Sequence, residues 1–274
     1  MIDLSTALTM ASSTDAGMVR SHNEDSLAID PGIGLAVLAD GMGGYNAGEV
    51  ASGIAVALIR DEVRKALADG DPSSAEASPT LRAERVLREQ SARANAAIFQ
   101  SAQDQPQYAG MGTTLVVALF ADNQVTVAHI GDSRLYRLRG DSFEQITRDH
   151  SLLQEQIDSG MISKEDARHS MNKNLVTRAL GVDPQVETEI HSYDVLPGDI
   201  YLLCSDGLSD MIPEPEIHGT LDTLKANLQL AADQLVQAAN DYGGRDNVSV
   251  VLVQVNERFA ADSGWMSRFM SWLK

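Results

Sequence analysis

Short stretches that are apolar throughout or alternate apolar with polar recur at residues 6–14, 26–29, 34–39, 113–120, 124–130, 135–138, 143–146, 186–193, 200–204 and 248–255. Most are bounded by glycine, proline, aspartate or asparagine, and this pattern predicts strands. Several neighbours are separated only by turns, at Pro31-Gly32, Ala121-Asp122-Asn123 and Arg139-Gly140-Asp141, which predicts antiparallel pairing. Between the third and fourth strands the period changes. Val50, Ile54, Leu58, Val63 and Leu67 predict a helix over 49–67, and Leu81, Val86, Leu87, Ala94 and Ile98 a second over 81–103. Residues 68–79, rich in Asp, Ser, Gly, Pro and Ala, read as a connection. Further helical pieces are expected at 152–159, 164–169, 215–219 and 224–240. Helices segregated from runs of adjacent strands define an α+β fold with mostly antiparallel sheets.

No repeat or linker interrupts residues 1–256, which predicts one domain. Residues 257–274 form a separate amphipathic tail: Trp265, Phe269 and Trp272 fall at i, i+4 and i+7, widened by Met266, Met270 and Leu273. Docking on its own domain, on a partner or on a membrane surface would each use such a face. Arg268 and Lys274 give it little attraction for anionic lipid.

Composition narrows the function. A chain of 274 residues, 43% hydrophobic and 22% charged, can bury a sizeable core. Its net charge of −18 argues against nucleic acid as a partner. The single cysteine, Cys204, excludes a disulfide framework or a cysteine-rich zinc site. Met1 to Met10 lacks the basic start of a signal peptide, and no apolar run is long enough for a membrane span. A cytoplasmic location is expected.

The chemistry concentrates where apolar strands stop at carboxylates beside glycine. Residues 34–39 end on Asp40-Gly41-Met42-Gly43-Gly44, and 200–204 end on Ser205-Asp206-Gly207. Residues 125–130 end on Gly131-Asp132-Ser133-Arg134, and Asp246 in Gly243-Gly244-Arg245-Asp246-Asn247 precedes the last strand. One such ending is an ordinary turn; four suit hard divalent cations such as Mg²⁺ or Mn²⁺, which favour oxygen ligands. Two such ions a few Å apart would suit phosphate-ester hydrolysis.

Arg20-Ser21-His22-Asn23-Glu24-Asp25, Asp40-Gly41-Met42-Gly43-Gly44, Gly112-Thr113-Thr114, Gly131-Asp132-Ser133-Arg134, Ser205-Asp206-Gly207-Leu208 and Asp246-Asn247 occur in that order. Together, over about residues 8–255, they resemble the protein phosphatase 2C (PPM) family of metal-dependent serine/threonine phosphatases in its bacterial form. The resemblance implies a central antiparallel β-sandwich of two sheets flanked by α-helices. It implies two Mn²⁺ or Mg²⁺ ions, with a third position, and a metal-activated bridging water as nucleophile. It further implies phosphorylated proteins as substrates, with a Ser/Thr kinase and its targets as partners.

Carried over by motif, Asp40 bridges the two metals and the Gly41 carbonyl binds one, while Asp206 and Asp246 hold the other. Asp132 with Asp206 forms the third position. Glu24 and Asp25 act through water, Arg20 grips the phosphate, and Asn247 is expected to set the Asp246 loop. Thr113 and Thr114 are expected to be strand and core-edge residues. The segment 150–181 corresponds to the family's flap, where Ser163, Arg168 and Asn172 are expected to act on protein substrates more than on small aryl phosphates. Met42 follows the Asp-Gly pair where eukaryotic members carry a histidine thought to protonate the leaving group. That role is left open between a metal-bound water, His22 and another group. Tyr45 stands where bacterial members often have histidine. A silent scaffold that keeps the fold, and a phosphatase acting on a partner-switching anti-sigma antagonist, are the competing readings. A P-loop nucleotide hydrolase is excluded, for the chain has no Gly-x-x-x-x-Gly-Lys loop.

Overall fold

The structure is a computed structural model that describes residues 3–44, 46–68, 78–163, 166 and 175–260. Tyr45, Arg168, Asn172, the connection at 69–77, most of the expected helix at 164–169 and the tryptophan-bearing part of the tail lie outside the described residues.

Two antiparallel sheets stack face to face. One has the order β1 (Leu8–Asp15), β11 (Val248–Val255), β10 (Ile200–Cys204), β7 (Arg134–Arg139), β8 (Ser142–Gln145). The other runs β2 (Asp25–Asp30), β3 (Leu35–Met42), β5 (Leu115–Ala121), β6 (Gln124–Ile130), β9 (Glu189–Asp194), with the two-residue β4 (Gly112–Thr113) added to the end of β3. Helices α1 (Ala47–Ala68) and α2 (Pro79–Asp104) cover the second sheet. Helices α5 (Glu214–Leu224) and α6 (Leu228–Asp241) cover the first. Two short helices, α3 (Leu152–Asp158) and α4 (Asp206–Ser209), and a 3₁₀ turn at Pro106–Tyr108 lie between these elements.

The period-two alternation of each strand sorts its residues between two cores. In β3, Leu35, Val37 and Ala39 face the helices, while Ala36 and Leu38 face the opposite sheet. In β11, Val248, Val250 and Leu252 face α5 and α6, while Val251, Val253 and Val255 enter the inter-sheet core. Tyr201 and Leu203 of β10 and Val125 and Val127 of β6 join them there. The unbroken apolar runs are therefore buried on both faces, as the four-layer order helix–sheet–sheet–helix requires.

Several elements differ from the sequence expectation, each for a local reason. The face that α1 presses on the sheet is Ala47, Ala51, Ala55, Ile59 and Val63; Val50, Ile54 and Leu58 are only partly buried. Small residues are needed because the helix start sits against β3: a Cβ on Gly41 would lie 2.2 Å from the Gly48 carbonyl oxygen. Leu81 is exposed. The expected strand 113–120 is broken at Thr114, whose polar groups turn to Asp40. The expected pieces 215–219 and 224–240 are α5 and α6, separated where the Asn227 side chain accepts from the Leu230 N–H and caps α6. Packing also reaches beyond residue 256: Phe259 is buried, meets Phe120 edge-on, and donates its N–H to Asn123 Oδ1. Among the described residues no helix is long and apolar enough to cross a membrane.

Candidate active site

The inter-sheet core runs out at one end of the sandwich, and the same alternation that filled it with apolar side chains continues with polar ones. After Ala36 and Leu38 the next residue of that parity is Asp40. After Val253 and Val251, read backwards, come Ser249 and Asn247; after Tyr201 and Leu203 comes Ser205. Asp25 lies directly across from Asp40 in the β2–β3 ladder.

These positions form one hydrogen-bonded shelf. Ser205 Oγ donates to Asp25 Oδ2 at 2.8 Å and accepts from the Ser249 N–H at 3.0 Å. Asp25 Oδ1 is buried without a hydrogen-bond partner. Asn247 joins three segments: its Oδ1 accepts from the Glu24 N–H, and its Nδ2 donates to the Ala16 and His22 carbonyls. The Gly207 Cα approaches the Asn247 carbonyl so closely that a Cβ would stand 1.9 Å away. Asn247 thus links Ala16, His22 and Glu24 beside Asp246, whose Oδ1 accepts from the Asn247 N–H.

Asp40 is held through its backbone. Its N–H donates to Thr114 Oγ1 at 2.9 Å, and its carbonyl accepts from the Thr114 N–H and the Thr113 hydroxyl, both at 2.8 Å. Thr114 Oγ1 also meets Ser133 Oγ at 2.7 Å, which ties Asp40 to the loop bearing Asp132. The two threonines are buried clamps rather than mere core-edge residues. Gly41 donates its N–H to the Glu24 carbonyl, so the Asp-Gly pair is fixed on both sides.

The electrostatics place the acids together. Burial, then Asp25, Asp206, Asp132 and Asp246 in that order, push the Asp40 carboxyl well above the usual carboxylate range. Asp206 is raised likewise by burial, then by Asp132, Asp210, Asp246 and Asp25. Asp25 is raised to about 6 by burial, opposed by Ser249 and Ser205, and Asp132 to about 6 by burial and then Asp149. Crowded, desolvated carboxylates of this kind gain most from a cation. An oxygen-only donor set with an unpartnered buried Asp25 oxygen suits Mn²⁺ or Mg²⁺.

Arg20 stands at the rim. Its Nη2 donates to Asp246 Oδ2 at 2.7 Å, and the side chain stays 52% exposed, leaving guanidinium surface for an anion. His22 is exposed. Ser163 lies in the flap, exposed, accepting from the Asp166 N–H and donating to its carboxylate. Asp40, Gly41, Asp132, Asp206, Asp246, Glu24, Asp25, Asn247 and Arg20 therefore gather at one end of the sandwich. Ser249 was not singled out from sequence, and Ser205, Ser133 and Thr114 were quoted in motifs without these hydrogen-bonding roles; single hydroxyl residues carry no such signal until the strand parity is known.

Residues 18–245 match the protein phosphatase 2C family. A serine/threonine phosphatase of Listeria welshimeri is 41% identical over 249 residues, 89% of this chain and 94% of that protein. The crystal structure of the Mycobacterium tuberculosis serine/threonine phosphatase PstP superposes with a TM-score of 0.78 at 37% identity, over 91% of this chain and 99% of that one. Stp1 of Staphylococcus aureus gives 0.80 at 34%, over 93% and 98%. A further structure of the PstP catalytic domain is in complex with two manganese ions. The chain belongs to the protein phosphatase 2C (PPM) family of serine/threonine phosphatases, in its bacterial form.

Proposed function

We propose that this end of the sandwich hydrolyses phosphoserine and phosphothreonine esters in proteins, with Asp40, Gly41, Asp206 and Asp246 as the ligands of two Mn²⁺ or Mg²⁺ ions. The observation that carries the assignment is the gathering of Asp25, Asp40, Asp132, Asp206 and Asp246, from both sheets, where the inter-sheet core ends. When bound, the cations neutralise these acids and lower the pKa of a shared water toward neutrality, which supplies the nucleophile.

The chain's own groups do the rest. Asp40, its backbone fixed by Thr113 and Thr114, would be shared by the two cations. Asp206 opens α4 directly after the buried strand β10, and Asp246 is held by Asn247. Asp132 with Asp206 would hold a third, weaker-bound ion. Asp25, with one unpartnered oxygen, and Glu24 would act on the ions through water. Arg20, anchored on Asp246, offers its free N–H groups to phosphate oxygens in a fork geometry. Ser163, Arg168 and Asn172 of the flap would meet the protein part of the substrate. A Ser/Thr kinase and its targets in the cytoplasm are the proposed partners.

Turnover of a phosphothreonine peptide with Mn²⁺ or with excess EDTA tests the reading, with Asp40→Ala and Asp206→Ala alongside. Manganese-dependent release of phosphate, lost in both variants, is expected. A folded protein that is inactive with metal would contradict it and favour the scaffold alternative.

A further inference from the structure

Asp132 sits between two attachment points that lead away from the site. On its C-terminal side, Arg134 forks onto Asp149, with Nε to Oδ1 at 3.0 Å and Nη2 to Oδ2 at 2.7 Å. On its N-terminal side, Gly131 and His150 exchange two hydrogen bonds. The Gly131 carbonyl accepts from the His150 N–H at 2.8 Å, and the Gly131 N–H donates to His150 Nδ1 at 3.2 Å. Gly131 has φ of +103° and no room for a side chain, since a Cβ would stand 2.7 Å from Thr114. The loop is thus pressed on the Asp40 clamp on one side and strapped to Asp149-His150 on the other.

Asp149-His150 is also the root of the flap. The neck closes there: the His150 carbonyl accepts from the Thr177 N–H, Leu152 donates to Leu175, and Ser151 pairs with Val176. Besides Gly131, the His150 ring is oriented by Glu189 and His129. Nε2 lies 3.1 Å from Glu189 Oε2, Glu189 Oε1 is taken by His191, and the His129 ring packs 4.3 Å away. Burial holds both His129, at about 4, and His150 below the usual imidazole range, so each ring is neutral.

Ligand atoms of His129, His150 and Glu189 all lie within 4.8 Å of one another, a spacing that would admit a cation. The hydrogen bonds argue otherwise. Nδ1 of His150 accepts from Gly131, so its single proton sits on Nε2 and points at Glu189; no lone pair of that ring is left for a metal.

We infer that His150, its tautomer set by Glu189, is a positioning residue for Asp132, and that it ties the root of the flap to the third cation position. The inference rests on the assignment of Asp132 to that position. A shift at the flap neck reaches Asp132 through the two hydrogen bonds that His150 makes with the Gly131 backbone.

The test is Mn²⁺ titration of phosphothreonine-peptide hydrolysis, with a melting curve in metal-free buffer for each variant. Asparagine places its Oδ1 where Nδ1 stands and can still accept from Gly131; leucine cannot. His150→Leu is expected to raise the half-saturating Mn²⁺ concentration about tenfold, the worth of one positioning hydrogen bond, while His150→Asn stays within about twofold of the wild type. Should His150→Leu fail to fold, His150→Gln, whose oxygen overshoots Gly131, takes its place with the same expectation. Asp132→Ala separates the two layers of the argument. If it shifts the Mn²⁺ curve and His150→Leu does not, the positioning role is overturned and the site assignment stands. An unmoved curve in Asp132→Ala overturns the assignment of Asp132 and this inference with it.

Discussion

The proposed phosphate contact of Arg20, anchored on Asp246, predicts a large effect on chemistry and a small one on stability. Both side chains are substantially exposed, and such pairs contribute about 0–1 kcal/mol. Arg20→Ala should therefore melt within a degree or two of the wild type, yet raise KM for a phosphopeptide by roughly one to two orders of magnitude, as loss of charged hydrogen bonds to phosphate implies. Arg20→Lys keeps the charge without the fork and should recover only part of the loss. Steady-state kinetics on the three proteins checks it; an unchanged KM in Arg20→Ala would remove Arg20 from the phosphate. Thr114 is the opposite case. Replacing it with valine strands the buried Asp40 N–H and breaks the link to Ser133, at a cost of about 1–3 kcal/mol. Thr114→Ser should restore most of this in a denaturant titration.

At the scale of elements, the strand-to-helix junctions do the positioning. Gly41 and Gly48 bring β3 and the start of α1 into backbone contact, and a methyl group on Gly41 would meet Gly48 at 2.2 Å and the Glu24 carbonyl at 2.6 Å. Gly41→Ala should destabilise by about 1–3 kcal/mol or more through overpacking and should abolish activity by moving Asp40. A melt and an aryl-phosphate assay read both effects. The two long helices, the antiparallel strands and the acids of the four strand ends were legible because period and glycine spacing encode them directly; the sandwich came only from the family resemblance. The face of α1 was not, for the largest residues of its stripe, Val50, Ile54 and Leu58, are displaced by alanines wherever backbones touch. Nor was the strand break at Thr114, which depends on hydrogen bonds to a residue 74 positions away. The Asp149-His150 strap lay unread at the flap boundary, since nothing local marks a ring whose partners are Gly131 and Glu189.

For the whole molecule, the acidic end couples metal, pH and stability. Without metal, Asp25 and Asp132 each hold a proton up to about pH 6 in the fold. In the unfolded chain they release it near pH 4. The folded state binds more protons between those values, so these groups favour folding below about pH 4, and the benefit is lost as pH rises through 6. In EDTA the melting temperature should thus fall from pH 5 to pH 7, and saturating Mn²⁺ should raise it more at pH 7 than at pH 5. Calorimetric scans at the two pH values, with and without metal, decide this; equal metal stabilisation at both would contradict the linkage.

The central claim is that acids from both sheets form one cation site built around Asp40. Equilibrium dialysis against Mn²⁺ at pH 7.5, for wild type, Asp40→Ala and Asp206→Ala, tests it most directly, because it reads binding whether or not a substrate is found. The account predicts two tightly held ions per chain in the wild type and loss of tight binding in Asp40→Ala. Asp206→Ala should weaken one ion more than the other. Two ions retained at wild-type affinity by a folded Asp40→Ala protein would contradict it.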